Sequence, residues 1–215
     1  VNLMGTLNVL EASRDKRVQR LIFASSMAVY GEKKGSSKEG DVLKPISPYG
    51  ISKRAAEEYC LYINERYGLN TVILRYFNTY GQNQVISCAV GVITSFIDKL
   101  LRGKSLTIFG DGDQVRDFVH VEDVVQANLL VLERNIAAGV FNIGTGKGTS
   151  INDLVECLAD EIKTEVRKKN EGRIKNEVWN SVADITKAQR ELGYTPKVRL
   201  EDGIKQTIRW MNMGR

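Results

Sequence analysis

The chain has 215 residues, 42% of them hydrophobic and 27% charged, a balance that excludes a disordered or fibrous protein. Lysine and arginine exceed aspartate and glutamate by 31 to 26, giving +5; the basic run Arg167-Lys168-Lys169 has no interleaved aromatic platform, so it reads as a solvated face and nucleic-acid binding is not expected. Widely spaced Cys60, Cys88 and Cys157 and a single histidine, His120, predict no disulfide framework and no metal site, and fit a reducing cytoplasm; no long apolar run or leader predicts a membrane span or a signal peptide.

Val1, Met4, Leu7 and Leu10 recur at helical spacing, so the chain opens inside a helix. Leu21 to Ala24 is a short apolar run that predicts a buried parallel strand. Its far end delivers Ser25 and Ser26 to the carboxyl edge of a sheet, where open α/β sheets keep their chemistry. Pro48 pre-sets a helix running from Tyr49 to Tyr67 and ended by Gly68, with Tyr49 and Lys53 on one face. Leu69 to Arg75 returns as a strand, residues 83–102 carry a helix pattern ended by Gly103, and Leu106 to Phe109 is a short strand. Asp123 is predicted to cap the next helix. Val140 to Ile143 forms a further strand, and Ser150 with Asp153 forms a capping box ahead of Leu154, Leu158 and Ile162. From Asp184 onward two helices close the chain, with Leu200, Ile204 and Ile208 facing inward.

Ser26, Tyr49 and Lys53 converge in this reading. A phenol with an ordinary pKa near about 10 is a poor base at neutral pH, and an ammonium within about 4 to 6 Å makes it a better one. A serine hydroxyl beside it can bind the same substrate oxygen. Removing an alcohol proton is productive when a hydride leaves the same carbon, which requires an acceptor such as a nicotinamide. The competing reading of Y-x-x-x-K is ordinary decoration of a helix. Arg116 reads either as a phosphate fork or as a surface ion pair with Asp113 or Asp117. The loop Gly144-Thr145-Gly146-Lys147-Gly148 invites a dinucleotide-fingerprint reading, but its G-x-G-x-G spacing and the lack of a following strand ending in an acid argue against it.

The phrases F-A-S-S-M-A-V-Y-G and P-Y-G-I-S-K, with L-R-Y-F-N at 74–78, I-F-G-D-G at 108–112, R-D-F-V-H-V-E-D-V at 116–124, F-N-I-G-T-G at 141–146 and S-V-A-D at 181–184, resemble the extended short-chain dehydrogenase/reductase family. The likeness is to its NAD-dependent epimerases and dehydratases, and most to UDP-hexose 4-epimerases. It implies an α/β fold: the C-terminal portion of a Rossmann-type parallel sheet, 1–82 and about 118–146, plus a small α/β substrate-binding domain, about 83–117 and 147–215. Roughly 80 to 100 residues of first βαβ units with the glycine fingerprint are absent by this comparison, so the chain reads as truncated, with little or no turnover expected of it alone.

The same resemblance implies catalysis by Ser26, Tyr49 and Lys53, and NAD held by Asn2, Ala24, Ser25, Tyr49, Lys53, Tyr76 and Phe77. It implies a UDP-sugar held by Ser26, Asn78, Thr107, Ile108, Phe109, Arg116, Phe118, Arg173, Glu177 and Ser181. Thr107 to Phe109 would line the uracil, Arg116 and Arg173 hold the diphosphate, Phe118 flank the base or ribose, and Glu177 bind ribose hydroxyls. Two departures are that Thr79 stands where many relatives carry proline or valine, and that Arg173 and Glu177 lie four apart rather than three. Ser181 resembles the gate beside the hexose 2-substituent, and its small size leaves room for an N-acetyl group. Met27 and Ala28 replace the acidic pair of 4,6-dehydratases, which disfavours elimination. A homodimer through helices 1–13 and 49–67 is expected, with ordinary packing of those helices on the sheet as the alternative. The expected activity is epimerisation at C4 of a UDP-hexose or UDP-N-acetylhexosamine; the alternatives are another nucleotide-sugar oxidoreductase or a non-catalytic sugar-nucleotide-binding fragment.

Overall fold

The computed structural model describes residues 1–84, 91–134, 136–175 and 177–213, so Cys88 and the first part of the expected 83–102 helix lie outside the described residues. In chain order, α1 (Asn2–Asp15) leads to β1 (Arg20–Ser26), and α2 (Pro48–Tyr67) returns to β2 (Asn70–Tyr76) and β3 (Asn78–Tyr80). Then come α3 (Val92–Leu101), β4 (Leu106–Phe109), β5 (Val115–Arg116), β6 (Phe118–His120), α4 (Val121–Glu133) and β7 (Gly139–Ile143). The chain closes with β8 (Thr149–Ser150), α5 (Ile151–Ile162), β9 (Lys168–Glu171), β10 (Asn180–Ser181) and α6 (Leu200–Met213).

β1, β2 and β7 form a parallel sheet in that order, and its centre, β2, reads as the near-continuous apolar run that a strand covered on both faces requires. Alternation along β2 sends Ile73 to a core with Leu10, Phe23, Ala56, Cys60 and Ile63 under α1 and α2. Val72 and Leu74 go to the opposite core with Phe141, Val124, Ala127 and Tyr194. The helix α2 starts where the sequence places it, because the Ser47 hydroxyl accepts the Gly50 N–H and Pro48 needs no donor, and it stops at Gly68, whose φ of 71° suits a residue without a side chain. A third core gathers Ile93, Phe96, Ile97, Leu106, Leu154, Leu158 and Ile204 among α3, β4, α5 and α6. The capping box at Ser150 and Asp153 is present, with both reciprocal hydrogen bonds.

Two local expectations need correction. His120, not Asp123, is the residue before α4: its Nδ1 accepts the Glu122 N–H at 3.4 Å, while the buried Asp123 carboxylate accepts the N–H groups of Lys197 and Val198 at 2.8 and 3.1 Å. The first closing helix is only a five-residue wide turn, Ala188–Leu192, ended by Gly193. The basic run expected as a plain solvated face is solvated, yet it is also a strand, since β9 pairs in parallel with β4 and all its residues are exposed. Among the described residues, Cys60 and Cys157 are free thiols, no cluster of side chains could hold a metal, and no helix is long and apolar enough to cross a membrane.

Candidate active site

Ser26 ends β1 and its Oγ accepts the Ala28 N–H at 3.2 Å, starting the tight turn Met27–Val29. The first turn of α2 packs directly on that turn: a Cβ at Gly50 would come within 2.4 Å of the Ala28 carbonyl oxygen, so only glycine allows the approach. Tyr49, which directly precedes Gly50, is 48% exposed. One helical turn on, the Lys53 ammonium donates to the Ala24 carbonyl at 2.7 Å and lies 5.0 Å from the Phe23 ring centre and 5.8 Å from that of Tyr49. Burial lowers the Lys53 pKa, and the Glu57 carboxylate opposes it only in part. Asn2 donates to Ser52 Oγ at 3.2 Å and lines an open cavity of about 310 Å³ with Gly5, Thr6, Phe23 and Lys53.

Not every residue expected at this edge presents its side chain there. Strand alternation turns Ser25 inward, where its hydroxyl donates to Glu57 and is buried. Tyr76 donates to Asn128 Oδ1 on α4 at 3.1 Å, and burial raises its pKa. Phe77 is buried with its ring 6.4 Å from that of Tyr30. The side chains of Ser25 and Phe77 are thus buried in the interior, and that of Tyr76 is partly buried against α4.

Beneath the edge runs a buried polar network that the sequence reading missed. Arg75 grips Glu57 through Nε at 3.0 Å and Nη2 at 2.6 Å, and its Nη1 donates to the Tyr30 hydroxyl at 2.9 Å. Tyr30 donates to Asn142 Oδ1 at 2.7 Å, and Asn142 Nδ2 reaches the Ser37 carbonyl at 2.8 Å. Burial would lower the Arg75 pKa, but its bonds to Glu57 and Tyr30 raise it overall, and burial pushes Tyr30 up to about 12. The available signals were Glu57 standing four residues after Lys53 on one helix face and an arginine closing the apolar run T-V-I-L.

A second cavity, about 420 Å³, is lined by Thr107, Ile108, Phe109, Arg116 and Glu177 together with Phe96. Arg116 donates to Glu177 Oε1 at 2.8 Å and to the carbonyls of Val115 and Trp179 at 3.0 and 3.2 Å, and burial lowers its pKa. Its ion-pair partner is therefore Glu177, not Asp113 or Asp117, because β10 brings the chain after Glu177 alongside β5. Asn78 Nδ2 donates to the Asp117 carbonyl at 3.1 Å and to the buried Ser181 Oγ at 3.3 Å.

Two residues expected in this cavity stand elsewhere. Phe118 is buried in the core of α3, α5 and α6, since its strand pairs with β3. Arg173, with a side chain 61% exposed, stacks 3.7 Å from the Trp179 ring centre and pairs loosely with Asp111 at 3.8 Å, away from the cavity. The glycine loop after β7 is filled from within. The Asp117 carboxylate accepts the N–H groups of Thr145, Gly146 and Ala183 at 2.8, 2.9 and 3.1 Å and the Thr145 hydroxyl at 2.6 Å. A cradle of backbone donors that could hold a phosphate holds a side chain instead.

The NAD dependent epimerase/dehydratase family matches residues 1–144. A putative UDP-glucose 4-epimerase of Methanocaldococcus jannaschii is 43% identical over 98% of this chain and 69% of its own length. The UDP-glucose 4-epimerase of Thermotoga maritima, solved with UDP-glucose, is 41% identical with a TM-score of 0.95, covering 99% of this chain and 70% of that one. The UDP-N-acetylglucosamine 4-epimerase of Methanobrevibacter ruminantium M1, solved with UDP-N-acetylmuramic acid, is 34% identical with a TM-score of 0.95, covering 100% of this chain and 69% of that one. The 215 residues thus span about two thirds of the relatives they match.

Proposed function

The chain belongs to the NAD dependent epimerase/dehydratase family, and from that premise we propose that it carries the acid-base edge and the nucleotide-sugar pocket for inverting C4 of a UDP-hexose or UDP-N-acetylhexosamine. One observation carries the reading: Gly50, next to Tyr49, packs on the Ala28 carbonyl two residues after Ser26, and Lys53 bonds the Ala24 carbonyl two residues before it. Tyr49 takes the proton of the sugar 4-hydroxyl and later returns it, while Ser26 hydrogen-bonds that oxygen and Lys53 stands 5.8 Å from the Tyr49 ring centre. NAD, when bound, supplies the hydride acceptor and donor at C4. Asn2, Tyr49 and Lys53, with the backbone of Ala24, Ser25, Tyr76 and Phe77, would hold its reactive end. The half-exposed Tyr49 and the Lys53 that lines the cavity beside Asn2 fit that task, whereas the glycine loop after β7 is occupied by Asp117 and is no pyrophosphate cradle.

Arg116 binds the diphosphate, Thr107, Ile108 and Phe109 receive the uracil, and Glu177 takes the ribose. Met27 and Ala28 can move no proton, which favours epimerisation over elimination. Ser181, buried against Asn78, is the small residue assigned beside the sugar 2-position, so Ser181→Tyr is expected to cost UDP-N-acetylglucosamine about 10- to 200-fold in kcat/KM relative to UDP-glucose. Unchanged turnover of both sugars would remove that gate. The exposed Met4 and Val9 of α1 and Tyr59 and Tyr62 of α2 support a homodimer through these helices, which light scattering tests on Tyr62→Glu. Free Cys60 and Cys157 fit a reducing cytoplasm.

The test is a chimera that joins the N-terminal third of the Thermotoga maritima enzyme ahead of Val1, supplied with NAD and UDP-glucose and followed by NMR for UDP-galactose. Turnover is expected. A second reading, a sugar-nucleotide-binding module, is favoured by Thr107, Phe109, Arg116 and Glu177 lining one cavity; calorimetric binding of UDP-glucose with no turnover in the folded chimera would establish it over catalysis.

A further inference from the structure

We propose that Glu57 and Arg75 are positioning residues: their buried ion pair is the common anchor that sets Tyr49 and Lys53 in register with Ser26. The proposal rests on the reading of the Ser26, Tyr49 and Lys53 edge given above.

Tyr49, Lys53 and Glu57 lie at i, i+4 and i+8 on α2, so fixing Glu57 fixes both the rotation and the rise of the face that bears the other two. A slip of one residue would turn Tyr49 by about 100° about the helix axis and move it about 1.5 Å along it. Glu57 is 2% exposed and is held by the two-pronged grip of Arg75 and by the Ser25 hydroxyl. Ser25 directly precedes Ser26, so the carboxylate that locates the helix also locates the strand end. Arg75 pairs in register with Ser25 on one side and Asn142 on the other, and its remaining donor holds Tyr30, which closes the turn begun by Ser26. One polar row across the sheet therefore ties every element that bears a catalytic side chain.

Stability alone does not account for this pair. Replacing a buried ion pair by apolar residues of similar volume is often neutral or stabilising, because desolvation offsets the attraction. What apolar packing cannot supply is a single permitted geometry, since a fork of hydrogen bonds accepts one register and an apolar contact accepts several.

The experiment is the double variant Glu57→Leu/Arg75→Met, read in two ways. In the 215-residue chain, the ε-methylene signal of Lys53, assigned with Lys53→Arg, is expected to be shifted by the Phe23 ring 5.0 Å from the amine and to return to the free-lysine position in the double variant. The amide spectrum should stay dispersed and the unfolding midpoint unchanged or higher. In the chimera, kcat is expected to fall about 100-fold, with KM for UDP-glucose within about twofold. A folded double variant that keeps the shifted Lys53 signal or its kcat overturns the proposal and leaves the pair as packing. If the parent chimera shows no turnover, the catalytic reading has failed and the Lys53 signal alone decides the positioning claim. If the double variant does not fold, Glu57→Gln, which breaks the ion pair with Arg75 at nearly constant volume, is read in the same way; an unmoved Lys53 signal there overturns the proposal.

Discussion

Glu57 lies beneath the Tyr49 edge and Asp117 directly follows Arg116 of the proposed nucleotide pocket; both are buried, at 2% and 0% exposure, yet they are neutralised by different means. Glu57 faces a guanidinium drawn from a neighbouring strand. Among the described residues Asp117 pairs with no cation and accepts from the N–H and O–H donors of the turn after β7 and of Ala183. Burial raises the Asp117 pKa, and the four hydrogen bonds pull it back only in part. The edge is thus organised by a charge-balanced pair with one geometry, and the pocket by a loop folded around an anion. The first arrangement suits atoms that must be held for proton transfer, and the second shapes a wall.

The largest effect should come from acting on the edge while reading the pocket. Tyr49→Phe in the chimera is expected to lower kcat about 10²- to 10⁴-fold with UDP-glucose affinity unchanged by calorimetry, because it removes only a proton carrier. Loss of affinity together with kcat would mean that the two regions are not separate. Next is Arg75→Met, which strands the Glu57 carboxylate and should cost about 3 to 5 kcal/mol of folding stability by urea titration. Arg116→Ala acts on the pocket alone and should weaken UDP-glucose binding about 10- to 100-fold, the worth of a charge-assisted pair of hydrogen bonds, with the unfolding midpoint of the β1, β2 and β7 sheet little changed.

What could be read in the sequence divides along the same line. Ser26, Tyr49 and Lys53 were legible because each depends on local signals: a strand end, a proline at a helix start and a four-residue spacing. The inward turn of Ser25 follows from strand alternation, a rule that the delivery of two adjacent hydroxyls to one edge overlooks. Arg75 and Asn142 were not legible, since each becomes a partner only when three strands distant in sequence come into register. Arg116 offered several acids nearby in sequence, and the fold selected Glu177, which only the pairing of β10 with β5 brings close. Nor could β9 be read, because its charged residues oppose strand formation and β4 alone recruits it.

The smallest effect sharpens the comparison from the Asp117 side. Its pKa is higher in the folded chain than unfolded, so between the two values the folded state binds more protons and stability falls as pH rises from about 4, levelling off above the folded pKa. Asp117→Asn should abolish that slope in urea midpoints measured against pH. Near neutrality it exchanges one acceptor for a donor facing the N–H groups of Gly146 and Ala183, at a cost of about 1 to 3 kcal/mol. The opposing sign of the two changes makes the variant least harmful where the wild type carries the buried charge in full. A slope that survives the substitution would assign the pH dependence to another group and leave Asp117 as a loop anchor without a titrating role.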